Sequence, residues 1–310
     1  MPGSNRMRSI YMLATIGLAL AGCSSLAGAP MVGPSFAPDH ALAGHSRDIY
    51  IGNILGGVPL YSTGKNPHEV GDITDDLPRV TDVWVDRHGV LYAFTDNREY
   101  PYETIEEFKP RSASPFFSLV LQHYGSIAAA DSARNVYAQG EDSQGQQVID
   151  VYPPGSQKIA DEYVVPSIGR ISGPEGMAFD SSGALLVGVA ALANNKQGQV
   201  GAVFRLDSGS GMFVNLHLKK AYGGLIAIDG TGNLYVAGGD VISVYAPGGT
   251  KPSRIMHTEE AVVALTAAAD GTLYVNTAGK IAIYAPGEGT SNRSFDPDAQ
   301  VSGIALGPSE

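Results

Sequence analysis

An all-β fold, a six-bladed β-propeller of four-stranded antiparallel blades closed by the C-terminal strand, is what this sequence predicts. Three observations carry that expectation. First, residues 224–249 (GLIAIDGTGNLYVAGGDVISVYAPGG) return as residues 263–288 (VALTAAADGTLYVNTAGKIAIYAPGE). Leu234-Tyr235-Val236 matches Leu273-Tyr274-Val275, and Tyr245-Ala246-Pro247-Gly248 matches Tyr284-Ala285-Pro286-Gly287, at a shift of 39 residues. Self-similarity at such a period marks a repeat architecture. Second, strands of the Leu-Tyr-Val type recur at 49–52, 91–94, 136–139, 185–188, 234–237 and 273–276, with spacings of 42, 45, 49, 49 and 39 residues. Those spacings fall in the range of propeller blades. Third, the chain ends are complementary: the strand at 49–52 has no inner strand before it, and VSGIALG (301–307) is an inner strand with nothing after it. The end of the chain should supply the innermost strand of the first blade.

The repeat unit justifies its elements in turn. GLIAID, NLYVA and VISVYA are short apolar runs separated by Asp-Gly-Thr-Gly and Gly-Gly-Asp, the composition of strands in a meander. Ser243 interrupts apolar neighbours in VISVY, which is strand alternation. Pro247 has no N–H to give a ladder, so the third strand stops before it. SRIMHT (253–258) supplies a fourth strand. The first run of each unit is small, with Ala227, Ala264 and the alanines at 267–269. Innermost strands converge on the axis, where small residues fit. Alanine favours helix, but turn residues on both sides leave no room for one. Asp86, Asp131, Asp180, Asp229 and Asp270 each sit in the turn after an inner strand. Aspartate serves there by bonding nearby backbone donors, and these turns lack the ligand spacing of an EF-hand loop.

Ahead of the repeats lie two appendages. Arg6 and Arg8 precede the apolar run 10–22, the pattern of a secretory signal. The run is short for a membrane-spanning helix. Leu20-Ala21-Gly22-Cys23 resembles a bacterial lipobox. That resemblance implies cleavage before Cys23, lipidation of Cys23, and anchoring of an exported protein to a membrane of the cell envelope. Cys23 is the one cysteine of the sequence, so it has no disulfide partner within the chain. The expected organisation is a lipoprotein signal at 1–22, a flexible tether at 23–46 rich in Ser, Ala, Gly and Pro, and the propeller at 47–310. A tether of that length spans about 25 Å root-mean-square. The formal charge of −11, with no basic run after the N-terminus, disfavours nucleic acid as a partner.

GPEGMAFDSSGALLVG (173–188), with the other turn-and-strand units, resembles the six-bladed propellers of the NHL-repeat and gluconolactonase-like group. In the enzymes of that group, acidic and amide side chains at inner-strand starts hold a divalent metal on the axis, and Pro174-Glu175-Gly176-Met177 resembles one such strand with Glu where Asp is usual. Aligning the inner strands on their turns puts Thr81, Ser126, Gly224, Val263 and Ser302 at the places corresponding to Glu175, and of these six only Glu175 is charged. A hard cation wants several oxygen ligands, so no metal and no cofactor are expected. The seven histidines form no H-E-x-x-H and no close pair, which gives zinc no support. No G-x-S-x-G elbow occurs, which disfavours that hydrolase class.

The expected site is one end of the central channel, ringed by inner-strand starts and the loops between second and third strands. By alignment that ring holds Arg79, Thr81, Asp96, Arg98, Tyr124, Glu141, Arg170, Glu175, Tyr222 and Asp240. Converging polar groups in a concave place are the default binding hypothesis. The loops around 96–103 and 194–199 allow two readings, binding loops or solvated connections. The first expectation for function is a binding or scaffolding module for a polar small molecule or a protein. The second is a lactonase-like or lyase-like enzyme using the axial pocket around Glu175. One charged side chain on the axis favours binding, whereas three or more favour metal-assisted hydrolysis.

Overall fold

A computed structural model of the chain describes residues 48–74, 77–96, 103–192, 199–207 and 209–308. Cys23, the signal and tether, Arg98 and most of the two loops just named lie outside the described residues.

The described chain is all strand and turn. In order the strands are β1 (Asp48–Asn53), β2 (Val58–Ser62), β3 (Glu69–Ile73), β4 (Val80–Val85), β5 (Leu91–Asp96), β6 (Glu103–Phe108), β7 (Phe117–Val120), β8 (Ala128–Ala130), β9 (Val136–Glu141), β10 (Gln147–Tyr152), β11 (Asp161–Val164) and β12 (Arg170–Phe179). They continue as β13 (Leu185–Leu192), β14 (Gln199–Asp207), β15 (Met212–Asn215), β16 (Leu225–Ile228), β17 (Leu234–Gly238), β18 (Val241–Tyr245), β19 (Arg254–His257), β20 (Val262–Ala267), β21 (Leu273–Thr277), β22 (Lys280–Tyr284), β23 (Arg293–Phe295) and β24 (Val301–Leu306). They form six four-stranded antiparallel sheets, five of them consecutive meanders and the sixth ordered β24-β1-β2-β3. The last strand thus closes the ring against the first, with Ile49↔Leu306, Tyr50↔Ala305 and Ile51↔Ile304 in register.

The core follows from the repeat. The six Leu-Tyr-Val-type runs fall in β1, β5, β9, β13, β17 and β21, each the second strand of its sheet. A second strand has a sheet neighbour on both edges and a blade on both faces, so β13 and β17 read as nearly unbroken buried residues. Six apolar clusters result, one between each pair of adjacent blades. Ala128 and Ala130 face the second blade, while Ala129 faces the fourth. No blade hides its apolar surface alone, so each depends on both neighbours.

The aspartate turns are structural fasteners. Asp229 Oδ1 accepts the N–H groups of Thr231 (2.9 Å) and Asn233 (2.9 Å), while Oδ2 accepts Asn233 Nδ2 (2.8 Å) and the Tyr235 hydroxyl (3.1 Å). Asp86 and Asp131 repeat the pattern with Tyr92 and Tyr137. Each carboxylate ties its turn to the tyrosine of the second strand, which explains why Tyr recurs there. Burial would raise the Asp229 carboxyl, but the bonds from Asn233 and Thr231 outweigh it and hold the group below the usual carboxylate range. In the sixth blade the equivalent position, 39 residues on, is Ala268, and Asp270 caps the turn from two positions later through the Thr272 N–H at 2.9 Å.

Candidate binding site at the axial channel

Four of the six inner strands share a local irregularity. Register breaks between Val80 and Asp82, between Pro174 and Gly176, between Val262 and Ala264, and between Val301 and Gly303 opposite Asn53 and Gly52. The residue left out of pairing in each case is Thr81, Glu175, Val263 or Ser302. A bulge of this kind re-aims a side chain out of the ordinary alternation. Here all four line one central cavity of about 390 Å³, together with Ser126 of the third blade and Leu225 of the fifth. Alignment on the turns expected this level of the channel, and the structure puts Leu225 rather than Gly224 against the cavity.

The bulge in the second blade adds a group that alternation hides. Both Thr81 and Asp82 face the cavity. Asp82 Oδ1 accepts the Val83 N–H at 2.9 Å, and Oδ2 accepts the Ala128 N–H of the next blade at 3.4 Å. A Cβ on Gly303 would lie 2.7 Å from that carboxylate, so glycine in the first blade makes the room. Burial pushes the Asp82 carboxyl up to about 7, against the lowering effect of those two N–H groups. Glu175 has a parallel setting. Its Oε1 accepts Gln199 Nε2 at 2.6 Å and its Oε2 accepts the Gly224 N–H at 2.9 Å. A Cβ on Gly224 would lie 3.0 Å from the Glu175 Cβ. Burial raises the Glu175 carboxyl too, partly offset by Gly224 and Gln199. Among the described residues the cavity wall therefore carries two carboxyls at its polar end, between the one and the three that separate the two functional expectations. Val85, Phe179, Ile228, Ala267 and Leu306 make the opposite end apolar.

Around this end the structure gathers some of the other expected residues. Arg79 Nη1 pairs with Asp96 Oδ2 at 2.8 Å, and its Nε is buried without a hydrogen-bond partner. Tyr124 stands beside them, raised by burial and by the nearby charges of Glu103 and Asp96. Its carbonyl accepts the Glu141 N–H at 3.1 Å. Glu103, expected only as the end of the 96–103 loop, belongs to the same group. It is buried, accepts the Gly125 N–H at 2.6 Å, and is driven by burial to about 7. An amide relay links this group to the channel: Ser126 N–H and Oγ donate to Gln139 Oε1, Gln139 Nε2 to Gln147 Oε1, and Gln147 Nε2 to Glu141 Oε2. Arg170 opens β12 as an exposed residue paired with Leu192, apart from the bonds that hold Glu175. Tyr222 and Asp240 stand exposed on the fifth blade at the same end. Expected residues thus divide into a cluster (Arg79, Asp96, Tyr124, Glu141), a channel pair (Thr81, Glu175) and three outlying side chains.

No protein-family model matches the sequence, and no curated protein matches it significantly. Solved structures do resemble it. The β-propeller domain of Cps50 (Swd1) from Myceliophthora thermophila superposes with a TM-score of 0.57 at 14% identity, covering 85% of this chain and 90% of that one. A protein of unknown function from Bacteroides caccae gives 0.59 at 11% identity, covering 85% and 99%. Hydrazine synthase from Kuenenia stuttgartiensis gives 0.59 at 12% identity, covering 77% and 80%. At such identities the likeness concerns the fold alone, since one architecture hosts many activities.

Proposed function

We propose that this chain is a lipid-anchored envelope protein whose propeller binds a polar ligand, or a polar loop of a partner, at the bulged end of the axial channel. The observation that supports it is the set of four bulges at one level, which turn Thr81, Glu175, Val263 and Ser302 onto the axis with Asp82 beside them, both carboxyls being raised by burial. A ring packed only for stability needs no such bulges, and bulges collect near functional sites. The acids outnumber the cations here, and Arg79 is already paired, so the fitting ligand presents hydrogen-bond donors or positive charge. A second reading, in the manner of the NHL-like and gluconolactonase-like propellers, is favoured by Asp82: a carboxyl near neutrality is matched to proton transfer.

Thermal-shift titration of the full-length protein with defined sugars, amines and lactones tests the site. A compound that raises Tm should lose most of that shift in Glu175→Ala and part of it in Arg170→Ala, while the unliganded variants keep a melting temperature close to wild type. An equal shift in both variants places the ligand elsewhere. Acid release from a lactone would establish the enzymatic reading instead.

The anchor has its own test. Cys23→Ser should move the protein from the membrane fraction to the soluble fraction and remove the lipid mass. Unchanged fractionation and mass would end the lipoprotein proposal.

A further inference from the structure

The third blade carries a group of side chains that the axial site does not use. Asp150 on β10 and Glu162 on β11 are directly opposed across the strand pair, so both side chains stand on one face. His123, from the connection before the third blade, is laid over that face. Its Nδ1 lies 2.9 Å from Asp150 Oδ2 and 3.8 Å from Glu162 Oε2. One donor atom from each residue falls within 4.8 Å of the others.

From this geometry we infer a divalent metal site of the zinc type at His123, Asp150 and Glu162. Three features separate it from a simple histidine–aspartate ion pair. Both carboxylates converge on the same ring nitrogen, whereas an ion pair extended to two acids would use one nitrogen for each. A tetrahedral ion with ligand bonds of about 2.1 Å sets neighbouring donors about 3.4 Å apart, and the separations of 2.9 and 3.8 Å straddle that value. The Asp150 side chain is only 2% exposed. The Tyr152 hydroxyl accepts the Gln122 N–H at 3.1 Å and turns its own proton toward the Asp150 carboxyl. A buried carboxylate is costly unless it is paired, and a cation at this carboxylate offsets that cost more fully than one hydroxyl and one ring N–H.

The site is also built into the sheet. Gly140 lies beneath the ring, and a Cβ there would come within 2.5 Å of the His123 Cβ and 3.4 Å of Asp150 Oδ2. Glycine at this strand position seats the histidine. No lysine or arginine is ion-paired with Asp150 or Glu162 among the described residues. One imidazole with two carboxylates suits a borderline first-row ion better than magnesium or calcium, which take oxygen ligands. The ion would occupy the place of the proton between Nδ1 and Oδ2. Glu162, 41% exposed on its side chain, leaves an outer coordination position for water. The inference stands apart from the axial site and survives if that site is wrong.

Zn²⁺ alone is the probe, added to full-length, chelator-treated protein and followed by competition with a chromophoric chelator and by thermal melting. The expected result is one equivalent bound with a rise in Tm. Glu162→Gln should weaken that binding by about 10-fold or more without changing the metal-free Tm, because Glu162 is an exposed group on an outer strand. His123→Gln should abolish it. Gly140→Ala should weaken it by displacing the ring. Absence of stoichiometric binding, or equal affinity in wild type and Glu162→Gln, overturns the site and leaves the ion pair. Four other described histidines stand exposed at positions 68, 88, 217 and 257, so dependence on Glu162 is what distinguishes this site from surface binding.

Discussion

A chain shortened by deletion of residues 300–310 should fail to form a stable monomeric propeller. The removed strand β24 contributes to two blade interfaces at once. Ile304 lies in the cluster between the sixth and first blades, with Ile49, Ile51 and Ile283. Ala305 lies in the cluster between the first and second blades, with Val80 and Val83. Ser302 Oγ also donates to the Val80 carbonyl at 2.6 Å, and the Gly307 N–H to the Asp48 carbonyl at 2.9 Å. Burying each large aliphatic side chain is worth about 2 kcal/mol, so losing Val301, Ile304 and Leu306 with their ladder approaches the roughly 5–15 kcal/mol that holds a domain folded. The strand edge left on β1 is an aggregation template. Size exclusion and melting check this: oligomers, or a Tm lowered by more than about 10 °C, are expected. A monomer that melts with the wild type would mean that closure contributes little.

Ring closure was legible in the sequence because it needed only a missing inner strand at one end and a surplus one at the other. The blades were legible for a related reason. A second strand is buried on both faces, so its Leu-Tyr-Val pattern survives while the outer strands drift. The site was legible in part. Glu175 and Thr81 could be placed on the axis by counting from the turns, because the bulge sits at a fixed distance from each turn. Asp82 could not, since strand alternation assigns it to the face opposite Thr81, and only the register break lets both reach the cavity. Glu103 reads as the last residue of a loop until β6 begins there and the second and third blades close over it. His123, Asp150 and Glu162 come from three separate segments, so no spacing rule connects them. Their juxtaposition depends on the β10–β11 register and on Gly140, both consequences of the folded sheet. Arg170 was expected beside Glu175 from its nearness in sequence, but a second register break, between Arg170 and Gly173, lies between the two, and Arg170 stands exposed at the strand start.

Asp82→Asn should change how stability depends on pH, with opposite effects at the two ends of the range. The Asp82 carboxyl titrates near 7 when folded, against an ordinary value of 3.8. Below about pH 4 it is protonated in both states and costs nothing. Between about pH 4 and pH 7 the folded form keeps a proton that the unfolded chain has released, so stability falls by about 1.4 kcal/mol per pH unit. Above pH 7 both states are ionised and the full cost, on the order of 4 kcal/mol, remains. Asparagine removes that slope. Its amide oxygen can keep the Val83 N–H and gives up the longer bond from Ala128, a loss of about 1 kcal/mol. The variant should therefore be more stable than wild type at pH 8 and slightly less stable at pH 4. Glu103, also near 7, and Glu175, also raised, stay in the variant, so the measure is the difference between the two profiles. Asp180 and Asp229, held below the usual range by their turn bonds, act in the other direction and only below about pH 4. Parallel profiles for variant and wild type from pH 4 to pH 8 would show that Asp82 is not held protonated. A crossing would identify a carboxyl kept on the channel wall at the expense of stability near neutral pH. Groups of that kind concentrate at functional sites, and a binding role gives this one a reason to stay.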